Sequence, residues 1–151
     1  MIDRATHRSI LMYRVTPALK AGVEWNAKAN EVGIVANWRA LAETRTRPAL
    51  IFGTSSDRIG TPSGQSYYAT VSKSLPNAPV APYVGLSYSG YAEEWLVPFG
   101  VNVGLGKGWS AMLINDGVHT HLSATYARPK LSVTLLAVER RHVGITLGTT
   151  F

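Results

Sequence analysis

His119, His121 and Ser123 are the residues of this chain best spaced for chemistry. In an extended segment alternate side chains point the same way, so all three share one face. Asp116 lies just before them, and Glu139 falls at a nearby turn. A serine hydroxyl becomes a nucleophile when a histidine takes its proton and an acid orients that histidine. Residues of these types could supply a nucleophile, a base and an acid. The competing reading makes the same residues polar lining of a hydrated interior, with no catalytic residue at all.

Other residues offer weaker chemistry. His119-x-His121 is a same-face pair of metal-ligand type. A zinc needs at least a third protein ligand, and only His142 could supply it, since the chain has no cysteine. No metal and no cofactor are expected. Arg14, Lys20, Glu24 and Arg39 are expected to meet inside adjacent strands, with His119 and His121 lining the same interior. Such charges either pair to fill a narrow space or form an anion-selective constriction. Ser55, Ser56, Asp57 and Arg58, with Gly60 and Gly64, open the longest loop. No helix pattern follows and the spacing is not that of a phosphate-binding loop, so an exposed loop is expected.

These residues need elements to hold them. The chain has 151 residues, 46% of them hydrophobic and only 16% charged, against about 25% charged in an average domain. With 14 glycines, this favours packed strands and many turns over a helical enzyme. The formal charge is +6, but Arg45, Arg47, Lys107, Arg128 and Lys130 are scattered beside turn signals. A dispersed excess reads as a solvated rim, and no nucleic-acid partner is expected.

Period-two alternation recurs along the chain. Leu11, Tyr13, Val15, Leu19, Ala21, Val23 and Trp25 share a face in one first stretch. Residues 32–40 alternate as a strand, although 35–43 also fit a helix. Leu50 and Phe52, then Trp95 through Leu105, then Val118 through Tyr126, mark apolar faces of later strands. Gly106-Lys107-Gly108 and Asn115-Asp116-Gly117 are turn signals. About ten strands of nine to twelve residues are expected, in an up-and-down antiparallel meander. The whole of 1–151 forms one domain, with 1–8 as a flexible or periplasmic N-terminal segment.

Alternation leaves open which face meets solvent. The strand lengths fit the roughly 9–11 residues of a tilted membrane strand. Tyr13, Trp25, Trp95, Trp109, Tyr126 and Phe151 fall at strand ends, as an aromatic girdle would. The second face is mostly Gly, Ser, Thr and His, poor as a soluble surface but suited to a lumen. An even strand count puts both termini on one side, with the single long loop on the other. No run approaches the roughly 18 apolar residues of a membrane helix. The N-terminus lacks a signal peptide, which leaves a removed leader, a C-terminal piece of a longer chain or a protein that is not exported.

The last ten residues, H-V-G-I-T-L-G-T-T-F, resemble the C-terminal targeting strand of bacterial outer-membrane β-barrels. Val143, Ile145, Leu147 and the terminal Phe151 carry the resemblance, and Thr149 is weaker than that pattern prefers. Residues 48–75 are faintly similar to barrels associated with exopolysaccharide export. The resemblance implies an all-β, antiparallel transmembrane barrel in the outer membrane, read by the barrel-assembly machinery. It implies a lipid bilayer or lipopolysaccharide as surroundings and a monomer as the assembly. The expected function is non-enzymatic: a narrow porin-like pore, a surface barrel or an export-associated anchor. His121-x-Ser123 also resembles part of the site of outer-membrane lipid A deacylases, which implies Ser123 as nucleophile, His121 as base and Glu139 as orienting acid, but Ala124 stands where that motif has Asn. The alternatives are therefore a lipid-modifying hydrolase using Ser123 and His121, and a soluble β-barrel holding a small apolar ligand.

Overall fold

The computed structural model describes residues 7–139 and 142–150. They form one antiparallel sheet of twelve strands, without helices among the described residues. The strands are β1 (Arg8–Arg14), β2 (Leu19–Asn26), β3 (Glu31–Leu41), β4 (Ala49–Ser56), β5 (Gln65–Ser72), β6 (Val80–Ser89), β7 (Glu94–Leu96), β8 (Phe99–Gly106), β9 (Trp109–Asn115), β10 (Thr120–Arg128), β11 (Leu131–Val138) and β12 (His142–Thr149). Each pairs with its neighbour in sequence, and β7 and β8 both pair with β6. The meander expected from the alternation is the observed topology.

Several sequence expectations are corrected. The first stretch is a hairpin rather than one strand, because Thr16 and Pro17 turn it. The Thr16 Oγ1 accepts the N–H groups of Ala18 and Leu19 at 3.2 and 3.0 Å. The strand expected at 32–40 is present as β3, Glu31–Leu41, and needs no correction. Strands run seven to eleven residues apart from the three of β7, shorter than expected. Pro98 separates β7 from β8, since proline offers no N–H to a ladder; its carbonyl still accepts the Gly85 N–H at 2.8 Å. These two strands form one arm, so twelve strands make eleven arms. With an odd number, β1 and β12 run in the same direction and the two ends of the described chain lie at opposite rims. Both termini on one side was the expectation, and the extra arm overturns it. Arg8 already belongs to β1, so the expected N-terminal segment 1–8 lies mostly outside the described residues. The sheet is not closed: β1 pairs only with β2, and β12 only with β11.

Turn chemistry sets the register. Gly106 pairs with Trp109, leaving Lys107 and Gly108 as a two-residue loop with φ of 52° and 85°. Positive φ at both positions is the turn whose twist matches paired strands. At the opposite rim Asn26 and Glu31 close a four-residue turn. Asn30 there adopts φ 52°, and the Asn26 Oδ1 accepts the Lys28 N–H at 3.2 Å.

The sheet curls towards one face. The Tyr68 hydroxyl on β5 donates to Asn37 Oδ1 on β3 at 2.7 Å, across β4. Gly53 of β4 lies beneath; a Cβ there would meet the Tyr68 ring at 2.5 Å. This inner face carries the buried polar residues Glu24, Asn26, Ser66, Ser89 and His121. The other face is apolar and exposed. Among the described residues thirty-one large hydrophobic side chains are exposed, while the buried hydrophobic ones are Val35, Ala49, Leu96 and Val138. Full burial of one large apolar side chain contributes about 1.5–3 kcal/mol. Most of that term is left unused when this sheet stands in water.

Candidate functional site

The first rim, where β1 begins, holds the histidines. Asp116 follows the last residue of β9, and Gly117 turns the chain with φ 98°. The Asp116 Oδ1 accepts the N–H groups of Val118 and His119 at 3.0 and 2.8 Å. Its Oδ2 lies 3.0 Å from His121 Nε2. Burial pushes the Asp116 carboxyl up, but the His119 N–H, the His121 ring and the Val118 N–H outweigh it and hold the group below its ordinary value. The His121 ring is fully enclosed, and its Nδ1 has no partner.

This geometry revises the expected triad. The acid that orients His121 is Asp116. Glu139 instead faces His119, with Oε1 3.4 Å from Nδ1. Ser123 is half-buried two residues along β10 and makes no hydrogen bond to His121. Among the described residues the His121 ring is held by Asp116 and not by the serine. An oriented histidine is present, and no hydrogen bond joins Ser123 to it. No cluster of three metal-ligand side chains occurs among the described residues.

The long loop is also revised. Residues 57–64 fold inward instead of standing exposed, and Asp57 and Thr61 are buried. Asp57 Oδ2 accepts the hydroxyl of Ser89 and the N–H of Tyr91, both at 2.9 Å. Its Oδ1 accepts the Arg58 N–H at 2.7 Å. Ser89, with no exposed surface, also accepts the Ala92 N–H at 3.0 Å. From the other side Asn26 donates to Pro62 O at 2.7 Å. Arg8 donates to Ser56 Oγ and, at 3.4 Å, to Thr61 O. The loop is thus tied to β1, β2 and β6 across the mouth of the curl. Sequence reading noticed the S-S-D-R segment but missed Ser89, whose only signal was a serine ending a strand.

Two cavities flank this loop, the first of mixed lining and the second lined mostly by apolar surface that includes Ile59, Leu96 and Ile114. One, of about 430 Å³, lies among Arg8, Glu24, Asn26, Glu31, Gln65 and Tyr91. The other, of about 220 Å³, lies among Asp57, Tyr68, Tyr83, Ser87 and Asp116.

The expected interior charge group is split between the rims. Glu24 is buried at the first rim, 3.7 Å from Arg8. Arg14 and Lys20 are a cross-strand pair near the second rim, both exposed. Arg39 is there too and donates to Pro17 O at 3.2 Å. Of the expected girdle, Tyr13, Trp25, Trp95 and Trp109 are exposed on the apolar face. Tyr126 is half-buried, its ring 4.9 Å from that of Trp109. Phe151 lies outside the described residues. No protein-family description, curated protein or solved structure matches this chain.

Proposed function

We propose that this chain is a non-enzymatic β-barrel of the bacterial outer membrane, its sheet closed and its apolar face set against lipid. The observation that carries the reading is the inverted distribution of the two faces. Val32, Ile34, Leu122, Leu135, Ile145 and Leu147 are exposed, while Glu24, Asn26, Asp57, Asp116 and His121 are enclosed. A soluble barrel orders its faces the other way; a bilayer-spanning barrel puts apolar groups outward and polar groups within. Lipid also leaves no place for an open sheet edge, so β1 and β12 must be covered. The inward loop 57–64 favours a plugged surface barrel or anchor over a wide pore.

The test is gel migration of the protein folded in detergent micelles, before and after boiling. A change in apparent mass, with β-rich circular dichroism before boiling, is the expected result. A protein that stays in solution without detergent and shows no shift overturns the reading and favours a soluble barrel with a ligand inside.

A further inference from the structure

The meander collects charges that are dispersed in the sequence. At the second rim lie Arg14, Lys20, Arg39, Arg45, Arg47, Lys73, Lys107, Arg128 and Lys130, with Glu43 as the one acid among the described residues. At the first rim lie seven acids, Glu24, Glu31, Asp57, Glu93, Glu94, Asp116 and Glu139, with Arg8, Lys28 and Arg58. Counted over described residues and with His neutral, the second rim carries +8 and the first −4. Asp3, Arg4, Arg140 and Arg141, outside the described set, supply the remaining +2 of the chain's +6.

Glu43 does not neutralise the second rim. It already receives the Ser74 N–H at 3.0 Å and lies 3.6 Å from Lys73. The other eight basic side chains there are exposed, and none has a carboxylate within ion-pair distance among the described residues. Several are fixed at the level where strands end. Lys107 and Lys130 sit in two-residue turns, between Gly106 and Trp109 and between Arg128 and Leu131. Beside them the Trp109 and Tyr126 rings pack with centres 4.9 Å apart, tilted by 41°, on the apolar side. The Arg128 guanidinium lies 5.5 Å from the Tyr126 ring centre, and its Nε donates to the Tyr126 hydroxyl at 2.6 Å. An aromatic layer capped by snorkelling cations is the arrangement that suits a headgroup layer.

We infer that the second rim is a docking surface for the phosphates of anionic phospholipids. The inference rests on the membrane reading and adds to it a lipid class and a side. The first rim, with its excess of acids, repels the same headgroups, so recognition is confined to one end. Basic residues next to a bilayer are attracted by anionic lipid, and the effect fades within a Debye length.

The experiment uses the full chain in mixed micelles holding equal amounts of phosphatidylglycerol and phosphatidylcholine, with lipid carried into native mass spectrometry as the readout. The parent protein is expected to retain phosphatidylglycerol preferentially. Arg45→Gln, Arg47→Gln, Lys107→Gln and Lys130→Gln together should lower that preference by up to about a thousandfold. An equal charge change at the first rim, Ala27→Glu, Lys28→Glu and Val118→Glu, should leave it within about threefold. If the fourfold variant does not fold, the pairs Arg45→Gln/Arg47→Gln and Lys107→Gln/Lys130→Gln should each lose part of it. Equal loss in both rim variants means net charge alone acts and overturns the proposal. So does a parent protein with no preference. Boiling-dependent gel migration on the same samples separates the two failures: a retained shift without lipid preference sinks only the docking surface, and an absent shift sinks the membrane barrel.

Discussion

Asp116 Oδ2 holds His121 Nε2 at 3.0 Å inside the first rim, while the carboxylate's other oxygen accepts two backbone N–H groups of its own turn. One side chain therefore closes the β9–β10 hairpin and fixes a buried ring. Asp116→Ala should destabilise the folded protein by about 2–4 kcal/mol, because it strands buried donors. Chemical denaturation in micelles checks this. The pH dependence has a definite sign. The folded carboxyl titrates below its unfolded value of about 3.9. Its stabilisation is full above that value and is lost as pH falls through the lower folded one. Asp116→Asn should flatten this acid limb, while an unchanged limb would mean that other carboxylates carry it.

Leu135, midway along β11 and exposed, reports what the apolar face touches. In a bilayer Leu135→Arg should cost about 2–4 kcal/mol. In a protein whose apolar face meets water it should be neutral and improve solubility. Equilibrium unfolding from vesicles, beside solubility without detergent, distinguishes the two.

Asp57 ties the inward loop to Ser89 and Tyr91. Asp57→Ala should release it, costing about 1–3 kcal/mol and raising single-channel conductance in planar bilayers. Ser89→Ala should act in the same direction, and the double variant should fall short of the sum because both remove one contact. Unchanged conductance with a proven loss of stability would leave the loop as packing rather than a plug.

Ser123 makes no hydrogen bond to the oriented histidine. Ser123→Ala should shift stability by less than about 1 kcal/mol, as expected for a half-buried group outside any network. It should leave lipopolysaccharide acyl content unchanged when the protein is incubated with it. Ser123-dependent deacylation in the parent would restore the hydrolase reading.

The edges β1 and β12 run the same way, so closure of the sheet within one chain needs a parallel seam. Single cysteines between 9 and 13 paired with single cysteines between 143 and 147 should cross-link within the monomer at high dilution. The chain's lack of native cysteine keeps the background clean. Cross-links only between two copies would place the seam at an interface. None at all, while Ala124→Cys and Leu135→Cys on adjacent strands do link, would mean that another chain covers the edges.

What the sequence by itself determined was local. Period-two alternation assigned Leu122, Ala124 and Tyr126 to one face and His121, Ser123 and Thr125 to the other, because a strand's side chains must alternate. Gly106-Lys107-Gly108 fixed a tight turn because glycine tolerates positive φ. What only the tertiary structure decided depends on counting and distance. Whether a basic residue lies at one rim or the other depends on the parity of every turn before it. The hairpin at Thr16 and Pro17, unseen in the sequence, moves the start of β1 to the other rim, while the turns that follow keep the alternation of sides that the sequence implies. The partner of Asp57 was equally out of reach. Asp57 binds Ser89, thirty-two residues away, and that approach exists only once the sheet has curled. Lys107 and Arg45, sixty-two residues apart in the chain, lie on one charged rim once the strands are laid side by side.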